Sequence, residues 1–398
     1  MTIKLEQDKL SFSFPEVHTD AKFSLDFQRT LRLPDDGKTY PLPPGLGSFP
    51  LRHIEDYVDR VPAQWLKRLG VMTPLYQSEA LWINFHPSTG SRRPSAYPFA
   101  IKIAAGKRCA LTGNAWWPKL RNRPGEDQDY VVIPGQPWLD GFVVEKGKVR
   151  QFVAVPLGMG LTVEGQMDGK EEFGGIQIQV YPMKAEVYER KFPQRKIEAR
   201  LGVCRGMSAT FDSLSLDRKS LGAAPAGADM GLGMGGSMKQ EVFQDRFDFN
   251  DWDHEHSSRV FVHLANSLAW KAITQQDPPS APQTAALYAR YGLPWFDYYD
   301  DSLKALEGSG KLAALKSILE LGFQKGLTGV LPENESPSPG GAQTLYGIPM
   351  GSGREVATAC SGTRYGIPIK EPQSDSPIPS DQIHVIKGQH GTVRNGKW

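Results

Sequence analysis

Between residues 78 and 185 the chain breaks into six or seven short apolar runs separated by turn residues, with no helical pattern between them. Leu81-Trp82-Ile83-Asn84-Phe85 is the first. Phe99 to Ile103 and Arg108 to Leu111 flank Ala104-Ala105-Gly106-Lys107, a hairpin signal. Tyr130 to Ile133 follows, and Gly141 to Glu145 is joined to Val149 to Val155 through Lys146-Gly147-Lys148, whose glycine supplies the positive φ of a tight turn. In Ile176-Gln177-Ile178-Gln179-Val180, apolar and amide side chains alternate strictly. Successive short strands without intervening helices bury their apolar faces against one another, so this module reads as an antiparallel sandwich or small barrel.

The flanking segments carry weaker patterns. Phe12, Phe14, Phe23, Leu25 and Phe27 fall on alternate positions, the period of half-buried strands. Tyr40-Pro41-Leu42-Pro43-Pro44-Gly45-Leu46-Gly47 lacks donor N–H groups at its prolines and is expected to wrap a surface. A helix is predicted over His53 to Leu69, and residues 1–77 together form an extended, strand-bearing segment packed on the core. Residues 186–250 read as a linker. Its first part, continuing from Lys184 to Arg200, is predicted helical; Ala223 to Met238, rich in Gly and Met, has side chains too small to bury much area and is predicted to be a mobile loop. Residues 251–331 read as a helical part, with helices from Ser257 or Ser258 through Trp270, over Thr284 to Tyr291 and over Leu303 to Leu321, and an aromatic turn at Leu293 to Tyr299. Residues 332–398 are dominated by Pro, Gly, Ser and Thr and are predicted to be a disordered tail, within which Tyr346-Gly347-Ile348-Pro349 recurs as Tyr365-Gly366-Ile367-Pro368.

Composition narrows the function. Lys and Arg total 46 against 44 Asp and Glu, a net charge of +2 too small to gather phosphates at long range, so nucleic acid is not expected as a partner. No run of about 18 uncharged apolar residues occurs and the first ten residues lack an apolar signal core, which points to a cytoplasmic protein without a membrane span. Cys109, Cys204 and Cys360 are odd in number and widely spaced, so neither a disulfide framework nor a zinc site is indicated.

Three groups could carry chemistry. Asp251-Trp252-Asp253-His254-Glu255-His256 gathers carboxylates and imidazoles; His254 and His256 would share a face of an extended chain and could ligate a metal, with Asp251 and Asp253 as acid/base partners. The cluster lacks the third ligand at helical spacing that makes a zinc motif specific, and acidic residues before a helix also serve as its cap. Trp116-Trp117 are adjacent indoles that cannot both enter one core from an extended chain, so one can be a ligand platform; Trp295 is a third candidate. The run Gly231 to Gly236 lacks the preceding strand that a phosphate loop requires.

The strings Ser78 to Phe85, Tyr97 to Lys107, Gln136 to Phe142, Arg259 to Ser267 and Gly292 to Tyr299 resemble an uncharacterised bacterial/fungal protein family with no established activity. The resemblance implies that residues 10 to 325 act as one unit and assigns no cofactor or catalytic residue. The sequence thus predicts an α+β chain: an antiparallel β-sandwich or barrel-like core with a smaller helical C-terminal part. Its expected role is a non-catalytic binding or assembly protein that takes a protein partner or self-assembles. The alternative is a metal- or acid/base-dependent hydrolase built on residues 251–256.

Overall fold

The chain opens with a meander. β1 (Thr2–Glu6) turns into β2 (Lys9–Ser13) through Gln7 and Asp8, both at positive φ, the geometry that matches the twist of a two-residue hairpin. β3 (Lys22–Thr30) pairs next, placing Phe23 opposite Phe12 so that the rings stack at 5.0 Å. In the proline-rich stretch only two-residue strands form, β4 (Thr39–Tyr40) and β5 (Arg52–His53). The helix predicted over His53 to Leu69 divides into a 3-10 turn, Ile54–Tyr57, and α1 (Ala63–Arg68), with Pro62 as the N-cap of the second piece. β6 (Val71–Leu75) and β7 (Ala80–Pro87) follow, and β7 pairs with β3 over eight positions, from Phe23 opposite Pro87 to Thr30 opposite Ala80. The N-terminal segment is therefore hydrogen-bonded into the module it was expected to pack on.

The short runs become β8 (Phe99–Ala105), β9 (Arg108–Cys109), β10 (Val131–Ile133), β11 (Trp138–Leu139), β12 (Gly141–Glu145), β13 (Lys148–Pro156) and β14 (Ile176–Pro182), with α2 (Val163–Asp168) before β14 and α3 (Ala185–Lys191) after it. The computed structural model describes residues 1–88, 95–193, 229–279, 282, 295–300, 302–327, 343–346 and 391–398.

Four expectations fail next, for physical reasons. The Gly/Met stretch, where described, is β15 (Asp229–Lys239), with Met230, Leu232, Met234 and Met238 buried on alternate positions and its glycines serving close approach. A Cβ at Gly233 would lie 2.4 Å from Ile318 Cγ2, and at Gly236 2.3 Å from the Pro34 carbonyl oxygen. The helix predicted from Ser257 or Ser258 is β16 (Ser258–Asn266), whose Val260 to Leu264 run is buried on both faces because the strand lies inside the sheet. Helix α4 (Ser267–Thr274) begins only where Asn266 Oδ1 accepts the Ala269 N–H at 2.8 Å. Phe296–Tyr299 is a strand, β17, in place of an aromatic turn, and the single helix over Leu303 to Leu321 is two, α5 (Gly310–Ala313) and α6 (Ile318–Gln324), each started by its own serine cap, Ser309 and Ser317. β18 (Gln343–Tyr346) pairs in parallel with β17, and β19 (Gly391–Thr392) pairs with β1. The helix predicted over Thr284 to Tyr291, the second Tyr-Gly-Ile-Pro string and the rest of the predicted tail lie outside the described residues.

Hydrogen bonding runs β19-β1-β2-β3-β7-β13-β15-β16-β14-β8-β10, antiparallel at every step. β4 joins β15, and β6 joins β16, in parallel. The sheet curls so that Phe99 of β8 meets Phe23 of β3 at 4.7 Å and Phe14 at 5.8 Å, an open half-barrel around one main apolar core. A second cluster under α1 and α4 holds Trp65, Met72, Trp270 and Ile273. No helix among the described residues is long and apolar enough to cross a membrane.

Candidate binding face

The turn between β8 and β9 is built from Gly106 and Lys107, both at positive φ, and Gly106 packs so closely that a Cβ there would lie 2.4 Å from Glu164 Oε2. The turn aims the Lys107 ammonium over the Phe173 ring, 4.1 Å from its centroid. Arg68, the last residue of α1, reaches the same ring. Its two terminal nitrogens donate to the carbonyls of Glu172 and Phe173, each at 2.8 Å, and its guanidinium lies 5.1 Å from Phe173 and 5.2 Å from Phe261. Arg259 projects from β16, 4.8 Å from the Trp398 ring. Trp398 in turn meets Phe261 at 5.6 Å and Trp116 at 5.5 Å. Lys102 approaches Trp116 at 5.5 Å but is already buried in an ion pair with Asp129 at 2.7 Å.

Burial, with the positive charges of Arg68 and Arg259, lowers the Lys107 ammonium below its ordinary range, opposed by Glu164. Glu164 is engaged elsewhere, accepting the backbone N–H groups of Glu172, Phe173 and Gly174 at 2.8 Å each. Asp229, at the far side of Arg68, accepts from the Trp65 indole and the Gln64 amide, and burial pushes its carboxyl up to about 6. Among the described residues Lys107 has no carboxylate partner. Three cations and a row of aromatic rings therefore share one face, and the carboxylates near it are engaged elsewhere: Glu164 by backbone N–H groups, Asp229 by Trp65 and Gln64, and Glu172 by Lys170 at 2.6 Å.

The sequence-predicted residues are distributed unevenly over this frame. Trp116 and Trp117 do splay apart: Trp116 belongs to the row, half-buried, while Trp117 is 48% exposed with Arg121 5.7 Å from its ring. Trp295 is 4% exposed and stacks on Tyr40 at 6.2 Å, so it is a core residue with no face for a ligand. The acidic cluster does not precede a helix. Asp251 closes a capping box with Asp248 around the 3-10 turn Phe249–Asp251 and pairs with Lys191 at 3.1 Å. His254 faces the Phe249 carbonyl, 3.1 Å away, and its ring lies 4.6 Å from that of Phe249. Asp253 and His256 do come together: Asp253 Oδ2 is 2.8 Å from His256 Nδ1, and the carboxylate also accepts the backbone N–H groups of Glu255 and His256. Apart from the Asp253–His256 pair the cluster sends its members to separate partners, and among the described residues no three His, Cys, Asp or Glu side chains are arranged to hold a metal ion.

Arg68, Lys107, Arg259 and Trp398 carry no local motif. Arg68 reads as a basic helix end, Lys107 as a turn residue and Arg259 as a polar residue in a misassigned helix. Only the pairing of β16 beside β14, and the return of residues 391–398 across them, brings the four together.

No family model, curated protein or solved structure matches the chain.

Proposed function

We propose that the chain is a cytoplasmic binding or assembly protein without catalytic activity, and that the aromatic–cation face receives an acidic segment of a protein partner or of another copy. The observation that carries this reading is Lys107, a partly buried ammonium over an aromatic ring and near the Arg68 and Arg259 guanidinium groups, with no carboxylate of its own among the described residues. Leaving like charges together is unfavourable unless an anion completes them, and flanking rings add cation–π and stacking contact area. Trp117, next in the chain to Trp116 and exposed, offers a partner a further ring. The test uses the full chain, with sedimentation velocity across a range of concentrations for self-association and affinity capture for other partners. Lys107→Glu and Trp117→Ala should each weaken association while leaving the sheet's circular dichroism unchanged. Association that neither change affects, or a wild type that associates with nothing, overturns the reading.

A second reading rests on the Asp253–His256 dyad. A carboxylate at Nδ1 fixes the tautomer in which Nε2 carries the lone pair, and the half-exposed His256 ring presents that atom as a general base. On this hydrolase reading His256→Ala abolishes turnover of small ester or amide substrates and His254→Ala leaves it intact. Equal activity of both variants and wild type refutes it.

A further inference from the structure

Residues 391–398 form a strap. Leu5 and Lys4 of β1 pair with Gly391 and Thr392, and Val393 donates to the Ile3 carbonyl at 2.8 Å while its side chain is buried. The strap then crosses the end of α1. Leu69 at φ 54 and Gly70 at φ 89 turn the chain away from the helix, leaving the Lys67 and Arg68 carbonyls and the Gly70 amide facing outward. The strap satisfies all three: Gly70 N–H donates to the Arg394 carbonyl at 2.9 Å, Gly396 N–H to Arg68 at 2.7 Å and Lys397 N–H to Lys67 at 3.0 Å. At Gly396 a Cβ would fall 2.0 Å from the Lys67 oxygen, so the seat accepts glycine alone. Beyond it the Trp398 indole lodges between Trp116, Phe261 and Arg259, and Arg259 also donates to the Gly396 carbonyl at 3.2 Å.

This is strand addition to an exposed sheet edge, with the backbone supplying the hydrogen bonds and Val393, Gly396 and Trp398 supplying the selectivity. We propose that the groove formed by the β1 edge, residues 67–70 and the Trp116–Phe261 pocket is a peptide-docking site, and that a second copy of the chain supplies its Gly391–Trp398 segment, so that two copies link by exchanging straps. The proposal rests on the assembly part of that reading and names a second copy as the partner; the strap carries Arg394 and Lys397 and no acidic side chain, so it is a contact separate from the acidic segment expected at Lys107. The stretch 347–390 before the strap has 44 residues. Extended, it reaches on the order of 145 Å at ~3.3 Å per residue, against a radius of gyration of roughly 21 Å for a folded chain of this length. A strap can therefore reach its own groove or a neighbour's. A reciprocal exchange makes and breaks the same contacts, and once one strap has crossed the second closes within the pair.

Two measurements test this. In the first, a site-specific protease sequence is placed within 347–390 of the full chain, which is cut after folding, and a fluorescein-labelled peptide of residues 391–398 is added. Saturable anisotropy is expected on the cut chain, about tenfold or more weaker binding on the uncut chain whose tethered strap competes, and a comparable loss for peptides carrying Gly396→Val or Trp398→Ala. In the second, a copy carrying Lys4→Cys is mixed with a differently tagged copy carrying Thr392→Cys, positions paired across β1 and β19. A mixed disulfide dimer, absent when either copy is mixed with wild type, is the expected result. A cut chain that keeps its sheet signal but binds no peptide overturns the groove. Peptide binding without a mixed dimer overturns the exchange. Neither readout uses Lys107 or Trp117, so loss of the acidic-segment reading would leave both standing.

Discussion

Asp229 accepts the Trp65 indole N–H, His263 stacks on the Trp65 ring, and the two should titrate with opposite effects on stability. Burial holds the Asp229 carboxyl up to about 6 against an ordinary 3.8, so between those values the folded chain keeps a proton that the unfolded chain has released. Stability from this group therefore falls as pH rises through that window, and the full penalty, about 3 kcal/mol, is present above it. His263 is enclosed by Trp65 at 4.6 Å and Phe261 at 4.5 Å with Nε2 3.0 Å from the Leu69 carbonyl, and burial pushes its imidazole down to about 3 from 6.5. Here the unfolded chain takes the proton first. Stability is intact above about 6.5 and is lost as pH falls toward 3, by up to about 5 kcal/mol. In urea titrations, Asp229→Asn should gain on the wild type as pH rises from about 4 to 7, and His263→Gln should gain on it as pH falls over the same range. A pH-independent difference in either variant contradicts the assignment. Neither group stands out in the sequence: Asp229 lies inside the predicted mobile loop Ala223 to Met238 and His263 inside a predicted helix, so only the placement of β15 and β16 reveals their burial.

At the scale of elements, β15 shows why side-chain size was a poor guide. Its glycines looked incompatible with ordered structure, yet they let Val153, Ile318 and the Pro34 carbonyl approach a strand whose Met and Leu side chains alternate inward. Gly236→Ala should therefore destabilise the fold by about 1–3 kcal/mol through a forced backbone shift, whereas Ala at Gly310, a helical glycine with nothing within 4 Å of its missing Cβ, should be neutral or mildly stabilising. Equal denaturation midpoints for the two would show that close approach is not what β15 requires. The helix starts fall elsewhere than predicted, at Asn266, Ser309 and Ser317, each of which accepts a backbone N–H. Ser317→Ala, which removes the cap of α6 beside Ile318 and Leu321, should cost about 1 kcal/mol of stability, read as a shift in thermal midpoint.

For the whole molecule, the sheet draws on strands from residue 2 to residue 266 and recruits residues 391 and 392 at its edge. The predicted module 78–185 holds many of the strands, but β7, β13 and β14 pair with β3, β15 and β16 outside it. Expressed alone, that fragment should lack a cooperative thermal transition, because β3 and β16 would leave the edges of β7 and β14 open to water or to aggregation. A fragment that melts cooperatively would instead make the module an independent folding unit. What the sequence by itself determined was the local alternation: the short runs between 78 and 185, the hairpin at Gly106 and Lys107, the splayed Trp116 and Trp117, and a sheet-rich fold. These follow from side-chain period and turn chemistry, which act over a few residues. Tertiary structure alone decided that Ser258–Asn266 is a strand, since an apolar run buried on both faces has no period to distinguish it from a helix. It likewise decided that Trp295 is core, that Asp253 joins His256 while Asp251 and His254 turn elsewhere, and that Arg68, Lys107, Arg259 and Trp398 meet on one face. The placement of Ser258–Asn266 and Trp295 and the meeting of Arg68, Lys107, Arg259 and Trp398 depend on partners tens to hundreds of residues away, and no local pattern records which distant strand will lie alongside. The His254 and His256 contacts are local in the chain but follow from a loop path that has no repeating pattern.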